Sequence, residues 1–195
     1  MRRGAYALAL SLTGCLFGGD EAGDLLDEDP VKTVDRLVPT APDAPDDAPP
    51  AAPRDVAGLD AHNTVRANAQ PPPSPPLSPL EWDEQLAEVA TSWARGCRFV
   101  HSEGTGFGEN LYVASWAASL EEAVDSWASE DAFYDYADNS CSGVCGHYTQ
   151  IVWRSTERVG CGFADCPVVE GVNFGGRLWV CNYDPPGNFV GQKPY

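Results

Sequence analysis

Seven cysteines constrain this 195-residue chain more than any other feature: six fall between Cys97 and Cys181, and the seventh, Cys15, stands alone behind an apolar leader. Met1-Arg2-Arg3 supplies a positive start and Ala5 to Leu12 a short apolar stretch. The stretch is too short to span a bilayer as a mature helix, so residues 1–15 read as an export signal. Export places Cys97, Cys141, Cys145, Cys161, Cys166 and Cys181 in an oxidising compartment, where a domain of this size uses cysteines as disulfides. The spacings of Cys141/Cys145 and Cys161/Cys166 also imitate two zinc-ligand pairs, a reading that compartment disfavours. Which cysteine pairs with which stays open, because spacing does not choose among the possible connectivities.

The leader ends in Leu12-Thr13-Gly14-Cys15, which resembles the lipobox of bacterial lipoproteins. That resemblance implies that Cys15 is lipidated and becomes the mature N-terminus, attaching the protein to the cell envelope through an N-terminal anchor. Residues 16–55 hold eleven acidic residues against Lys32, Arg36 and Arg54, with prolines throughout and no aromatic after Phe17. Such a stretch cannot bury enough apolar surface to offset its ordering entropy, so it reads as a disordered tether. At roughly 35 Å root-mean-square reach it holds a domain clear of a membrane. The net charge of −17 argues against nucleic acid as a partner, since phosphate binding needs clustered Lys and Arg. It argues equally against direct adsorption to an anionic bilayer.

From Val56 the pattern changes to that of a folded domain, 56–195. Asp55 is placed to cap a helix carrying Val56, Leu59, His62, Asn63 and Arg66, which must end before the extended run Pro71 to Pro79. Asp83 is placed to cap a second helix with Leu86, Val89, Ala90, Trp93, Ala94 and Cys97 along one face. Ser119 and Glu122 form a capping box for a third helix bearing Leu120, Ala123, Val124 and Trp127. A short fourth helix is expected near Tyr148. Arg158 to Cys166 and Arg177 to Tyr183 alternate with strand period around a glycine-rich connection.

Six strings then carry a resemblance: HNTVR from His62, LEWDEQLAEVATSWA from Leu80, HSEGTGFGENL from His101, WASE from Trp127, GHYTQIVW from Gly146 and CNYDPPGNFVGQKPY from Cys181. In this order they resemble the motifs of the CAP superfamily, the cysteine-rich secretory, antigen-five and pathogenesis-related proteins, and most of all its plant pathogenesis-related branch. The resemblance covers Val56 to Tyr195. It implies an α+β fold, a disulfide-stabilised α-β-α sandwich with a small antiparallel sheet between helical layers and an open cleft. It also implies the pairs Cys97–Cys166, Cys141–Cys145 and Cys161–Cys181.

The candidate site is a quartet, His101, Glu109, Glu130 and His147. Glu130 lies three residues beyond Trp127, in line with the apolar stripe of the third helix, and a carboxylate there is costly to bury unless paired or ligating. His101 and Glu109 sit in a glycine-rich segment able to turn sharply, and His147 follows Gly146 near a helix start. The resemblance implies that these four line the cleft and that His101 and His147 bind a divalent ion such as zinc, to which imidazole is suited. Two histidines leave the shell incomplete, so water or a carboxylate must finish it and the affinity should be modest. The other reading of the quartet is that both His–Glu pairs are hydrogen-bonded scaffolding for the cleft. His62 reads instead as a structural hydrogen-bonding group. Two functions compete. One is an exported binding module, monomeric, for a lipid, a sterol or an extracellular protein. The other is a metal-assisted or His/Glu-dependent hydrolase using Glu109 and Glu130 as acid–base groups. No nucleophile stands out, since Ser102 has only its adjacency to His101, and the residues favour the binder.

Overall fold

The structure, a computed structural model, describes residues 55–195; the leader, Cys15 and the rest of the tether lie outside the described residues. Helix α1, Val56–Ala67, begins where the Asp55 carboxylate accepts from Gly58 N at 2.8 Å, which satisfies one of the amides a helix start leaves open. Its buried face carries Leu59, His62 and Arg66. Helix α2, Glu84–Ala94, is capped by Asp83, which accepts from Gln85 N and Leu86 N. Cys97 falls beyond its end, in a left-handed turn at φ 52°, so it leaves the face on which sequence periodicity places it. Helix α3, Leu120–Ala128, has its reciprocal capping box: Ser119 Oγ accepts from Glu122 N while a Glu122 oxygen accepts from Ser119 N. Helix α4, Gly146–Ile151, starts two residues before Tyr148.

Strands β1 (Glu81–Trp82), β2 (Gly108–Ala114), β5 (Arg158–Val169) and β6 (Phe174–Asp184) form one sheet in the order β1-β5-β6-β2, while β3 (Tyr134–Asp135) and β4 (Ser140–Cys141) form a small separate hairpin. The β5–β6 and β6–β2 pairs are antiparallel and β1 runs parallel to β5. The sheet is therefore mixed rather than wholly antiparallel, because the proline-rich segment delivers the chain to the β5 edge already running in that strand's direction. Strand β2 escapes sequence reading for a physical reason. Leu111 to Ala114 are all buried, and a strand covered on both faces loses the alternation that marks a half-exposed one.

Helices cover both faces. Ala90 and Ala94 of α2 pack on Leu111, Val113, Leu178 and Val180, while Leu59, Leu120, Val124, Trp127 and Ile151 of α1, α3 and α4 pack on Tyr112, Trp179 and Tyr183. Alternate residues of β2 and β6 thus serve two separate cores. Helix α2 lies so close to β5 that a Cβ on Gly160 would stand 2.3 Å from Ala87 N, and one on Gly162 2.6 Å from Thr91 N. Three disulfides staple these layers. Cys97–Cys166 ties the turn after α2 to β5, Cys161–Cys181 crosses β5 and β6, and Cys141–Cys145 ties β4 to the start of α4. On the helical side, the buried Arg66 guanidinium donates to the carbonyls of Ser78, Ile151, Trp153 and Thr156. Burial lowers it to about 10, with Arg154 adding to the effect, and the four carbonyls replace the water it loses.

Candidate functional site

Strand β2 presents Glu109 as its second residue. One carboxylate oxygen of Glu109 accepts from His101 Nδ1 at 2.8 Å and from Ser102 N at 2.9 Å, with the carboxylate side chain only 6% exposed and the imidazole 31%. The other oxygen, Oε2, is buried with no hydrogen-bond partner. Across the ladder from Glu109 stands Asn182, whose Oδ1 is also buried without a partner. Two unpartnered acceptors on directly opposed residues are rare, because each such group is costly to bury.

The second pair is deeper. Helix α3 stops at Ala128, and Glu130 belongs to a separate 3₁₀ turn, Ser129–Phe133, so it leaves the apolar stripe that its spacing from Trp127 suggests. It turns toward α4, where Oε1 meets His147 Nδ1 at 2.6 Å and Oε2 accepts from His147 N at 3.0 Å and Tyr148 N at 3.3 Å. Cys145 gives α4 no side-chain cap. Glu130 therefore serves as the cap from a distance, its negative charge placed at the positive end of the helix. The His147 ring stacks on Trp127, with centroids 6.1 Å apart.

Asn110 links the two pairs. It follows Glu109 in β2, and its Nδ2 donates to the His147 carbonyl and to the Tyr183 hydroxyl, each at 3.1 Å. That hydroxyl donates to His62 Nε2 at 2.9 Å, and His62 Nδ1–H donates to the Gly58 carbonyl at 2.8 Å. His62 is thus the structural group its place in the first helix suggests. Burial lowers its imidazole from 6.5 to about 4, the Gly58 hydrogen bond opposing and Arg66 assisting that fall. Burial also raises the Tyr183 phenol well above its ordinary value. Sequence reading misses Asn110 and Tyr183. The available signal is an asparagine opening the apolar run Leu111 to Ala114, inside a string already singled out.

On each histidine the carboxylate holds Nδ1, which leaves Nε2 as the nitrogen toward an incoming ion. A carboxylate on the far nitrogen is the usual support of a metal-ligating imidazole. Each imidazole thus has one nitrogen fixed by a carboxylate and the other left for a ligand, which is the donor chemistry that a divalent ion takes. Among the described residues, the one set of three His, Cys, Asp or Glu ligand atoms all within 4.8 Å of one another is His62 with Cys161 and Cys181. It offers no metal site, because both sulfurs are spent in a disulfide and both His62 nitrogens are hydrogen-bonded. A groove of about 640 Å³ is lined by Gln70, Phe133, Tyr134, Asp135 and Tyr136. None of the quartet lines it. Ser102 offers its backbone amide to Glu109, which is a supporting role.

The chain matches the cysteine-rich secretory protein family (CAP) over residues 59–183. It is 44% identical over 141 residues to pathogenesis-related protein 1 of Arabidopsis thaliana, covering 70% of this chain and 80% of that protein. It is 39% identical over 148 residues to GLIPR1-like protein 1 of Mus musculus, spanning 70% of this chain and 61% of the mouse protein. Among solved structures, venom allergen-like protein 4 of Schistosoma mansoni superposes with a TM-score of 0.58 at 31% identity, covering 71% of this chain and 91% of that one. These matches agree with the α+β architecture, and the chain belongs to the cysteine-rich secretory (CAP) family.

Proposed function

We propose that this protein is an exported, lipid-anchored binding module whose His–Glu quartet holds a divalent ion, zinc fitting the imidazole donors best, and that its partner is a lipid, a sterol or an extracellular protein. The observation that carries the reading is the shared geometry of the two pairs. In each, a carboxylate at least nine-tenths buried fixes Nδ1 and orients Nε2. That arrangement supports ligation more directly than hydrolysis, since among the described residues no serine, cysteine or threonine side chain is hydrogen-bonded to either imidazole of the quartet. With only two imidazoles, the remaining coordination positions fall to water, and the affinity is modest.

Titration calorimetry with zinc tests the reading. Binding at micromolar to millimolar zinc, lost in His147→Ala and at a pH where imidazoles are protonated, is the expected result. Absence of heat at millimolar zinc refutes it. Turnover of casein or simple esters that is abolished by chelator and by Glu109→Gln would put the hydrolase in its place. The anchor has its own test: Cys15→Ser should move the protein from the detergent-extracted fraction to the soluble or unprocessed one, because each buried acyl CH₂ contributes about 0.8 kcal/mol.

A further inference from the structure

We propose that Asn110, held by Tyr183 and His62, is a positioning residue for His147, so that a buried polar relay running from α1 across β6 and β2 to α4 sets where the deeper imidazole presents Nε2. The inference rests on the metal reading above and adds residues outside the quartet. Each link has its distance: Gly58 O to His62 Nδ1 2.8 Å, His62 Nε2 to Tyr183 Oη 2.9 Å, Tyr183 Oη to Asn110 Nδ2 3.1 Å, and Asn110 Nδ2 to His147 O 3.1 Å. His62 and Tyr183 are fully buried and Asn110 is 1% exposed, so none of these bonds is exchanged for water without local opening.

The direction of every hydrogen bond is fixed. The Gly58 carbonyl only accepts, which places the proton of neutral His62 on Nδ1 and makes Nε2 an acceptor. Tyr183 must then donate to Nε2, and its oxygen is left to accept from Asn110. Both Asn110 amide hydrogens are thereby assigned, one to Tyr183 and one to the His147 carbonyl. A side chain with both protons committed cannot rotate without breaking two buried bonds.

The ends of the His147 residue are held from opposite sides. Glu130 takes its amide and its Nδ1, and Asn110 takes its carbonyl. Glu130 also accepts from Tyr148 N and so holds the N–H side of the peptide after His147, while Asn110 holds the carbonyl side of that same peptide; a tilt there would swing the ring about the Glu130 contact. Trp127 restricts that swing on one ring face, and its own Nε1 donates to the Leu111 carbonyl of β2. Both restraints on His147 beyond Glu130 therefore trace to strand β2, which also carries Glu109. The relay sets the deeper imidazole against the strand that bears the shallower pair.

Cobalt(II), a spectroscopic substitute for zinc, tests the proposal on the whole protein. Tyr183→Phe deletes one hydroxyl and keeps the ring, and Asn110→Ala removes the donor to His147. Val180→Ala, on β6 but facing α2 in the other core, is the control for lost stability alone. Loss of an outer-shell group that supports a metal-ligating residue typically weakens the site about 10-fold or more. Tyr183→Phe and Asn110→Ala should therefore bind cobalt(II) about 10-fold more weakly with altered visible bands, while Val180→Ala matches the wild type in both. Wild-type affinity and spectrum in a folded Tyr183→Phe overturns the proposal and leaves the metal reading standing. Equal weakening in Val180→Ala also overturns it, since general loosening then accounts for the effect. A wild-type protein that binds no cobalt(II) removes the metal reading and the relay's role together. Should Asn110→Ala fail to fold, Tyr183→Phe decides.

Discussion

Acidification should destabilise this domain through His62 in a way one substitution can isolate. The imidazole is fully buried and lowered to about 4 from 6.5, chiefly by desolvation. Its folded pKa lies below its unfolded one, so between those values the unfolded chain takes up a proton that the native protein refuses. Stability from this residue is complete above the unfolded pKa and is lost as pH falls toward the folded one. The full difference corresponds to about 3 kcal/mol, of which about 2.5 kcal/mol should be gone by about pH 4.5. The structure shows why the charged form is refused: Nε2 faces a hydroxyl already donating to it, and an added proton there would leave two donors opposed. Guanidinium unfolding of the wild type and His62→Gln at about pH 7.5 and about pH 4.5 measures the term, since the carboxylates and the other histidines contribute alike to both proteins. His62→Gln is expected to be the less stable protein at the higher pH and to close most of the gap at the lower. A gap that stays constant within about 0.5 kcal/mol between the two conditions would refute the assignment of His62 as a buried neutral group.

Gly162→Ala should cost about 2 to 4 kcal/mol, seen as a lower melting temperature, because its Cβ would press on the backbone of Thr91 and lift α2 from β5; an unchanged melting curve would mean the helix sits further out than described. Truncation after Asp184 should cost at least about 3 kcal/mol or prevent correct disulfide formation. The removed segment supplies Pro194 O to Arg154 N, Gln192 O to Asn139 and the Tyr195 hydroxyl to Gln70 O, and it stacks Tyr195 on Tyr136 and Phe189 against Trp153. A truncated domain with the parent's melting temperature would show that strap to be dispensable.

The helices were legible because their signals are local. Asp55, Asp83 and the Ser119/Glu122 box each act within one turn of the residues they cap. The β5–β6 hairpin was legible because its two strand-like runs flank a glycine-rich connection, although Leu178 to Tyr183 of β6 are buried throughout. Strand β2 was not, since its residues are buried on both faces, and neither was the parallel edge strand β1, whose two residues gain their identity from a partner far along the chain. Of the quartet, the residue types came from the motifs, but the pairing of His101 with Glu109 and of Glu130 with His147 is a product of tertiary structure. Glu130 is the instructive case. Its position after Trp127 suggested a helix face, whereas its chemistry, capping α4 from seventeen residues away, belongs to no local pattern. The relay through Asn110 and Tyr183 was hidden for the same reason, its links spanning 37, 73 and 121 residues.

Those long links set the order in which the domain can be completed. A polypeptide emerges N-terminus first, so α1 is made early, yet the carbonyls that receive Arg66 come from residues 151, 153 and 156 and the hydroxyl that receives His62 from residue 183. Until then docking α1 would bury the Arg66 cation and the His62 imidazole without partners, so the helix must wait undocked in water. Cys97, Cys141 and Cys145 emerge during that wait, ahead of Cys166 and Cys181, and can oxidise with one another before their proper partners exist. Only Cys141–Cys145 can close natively so early; the other two pairs must wait for Cys166 and Cys181. Maturation of this protein should therefore run through disulfide exchange, and its yield should track the supply of an isomerase more closely than the supply of an oxidant.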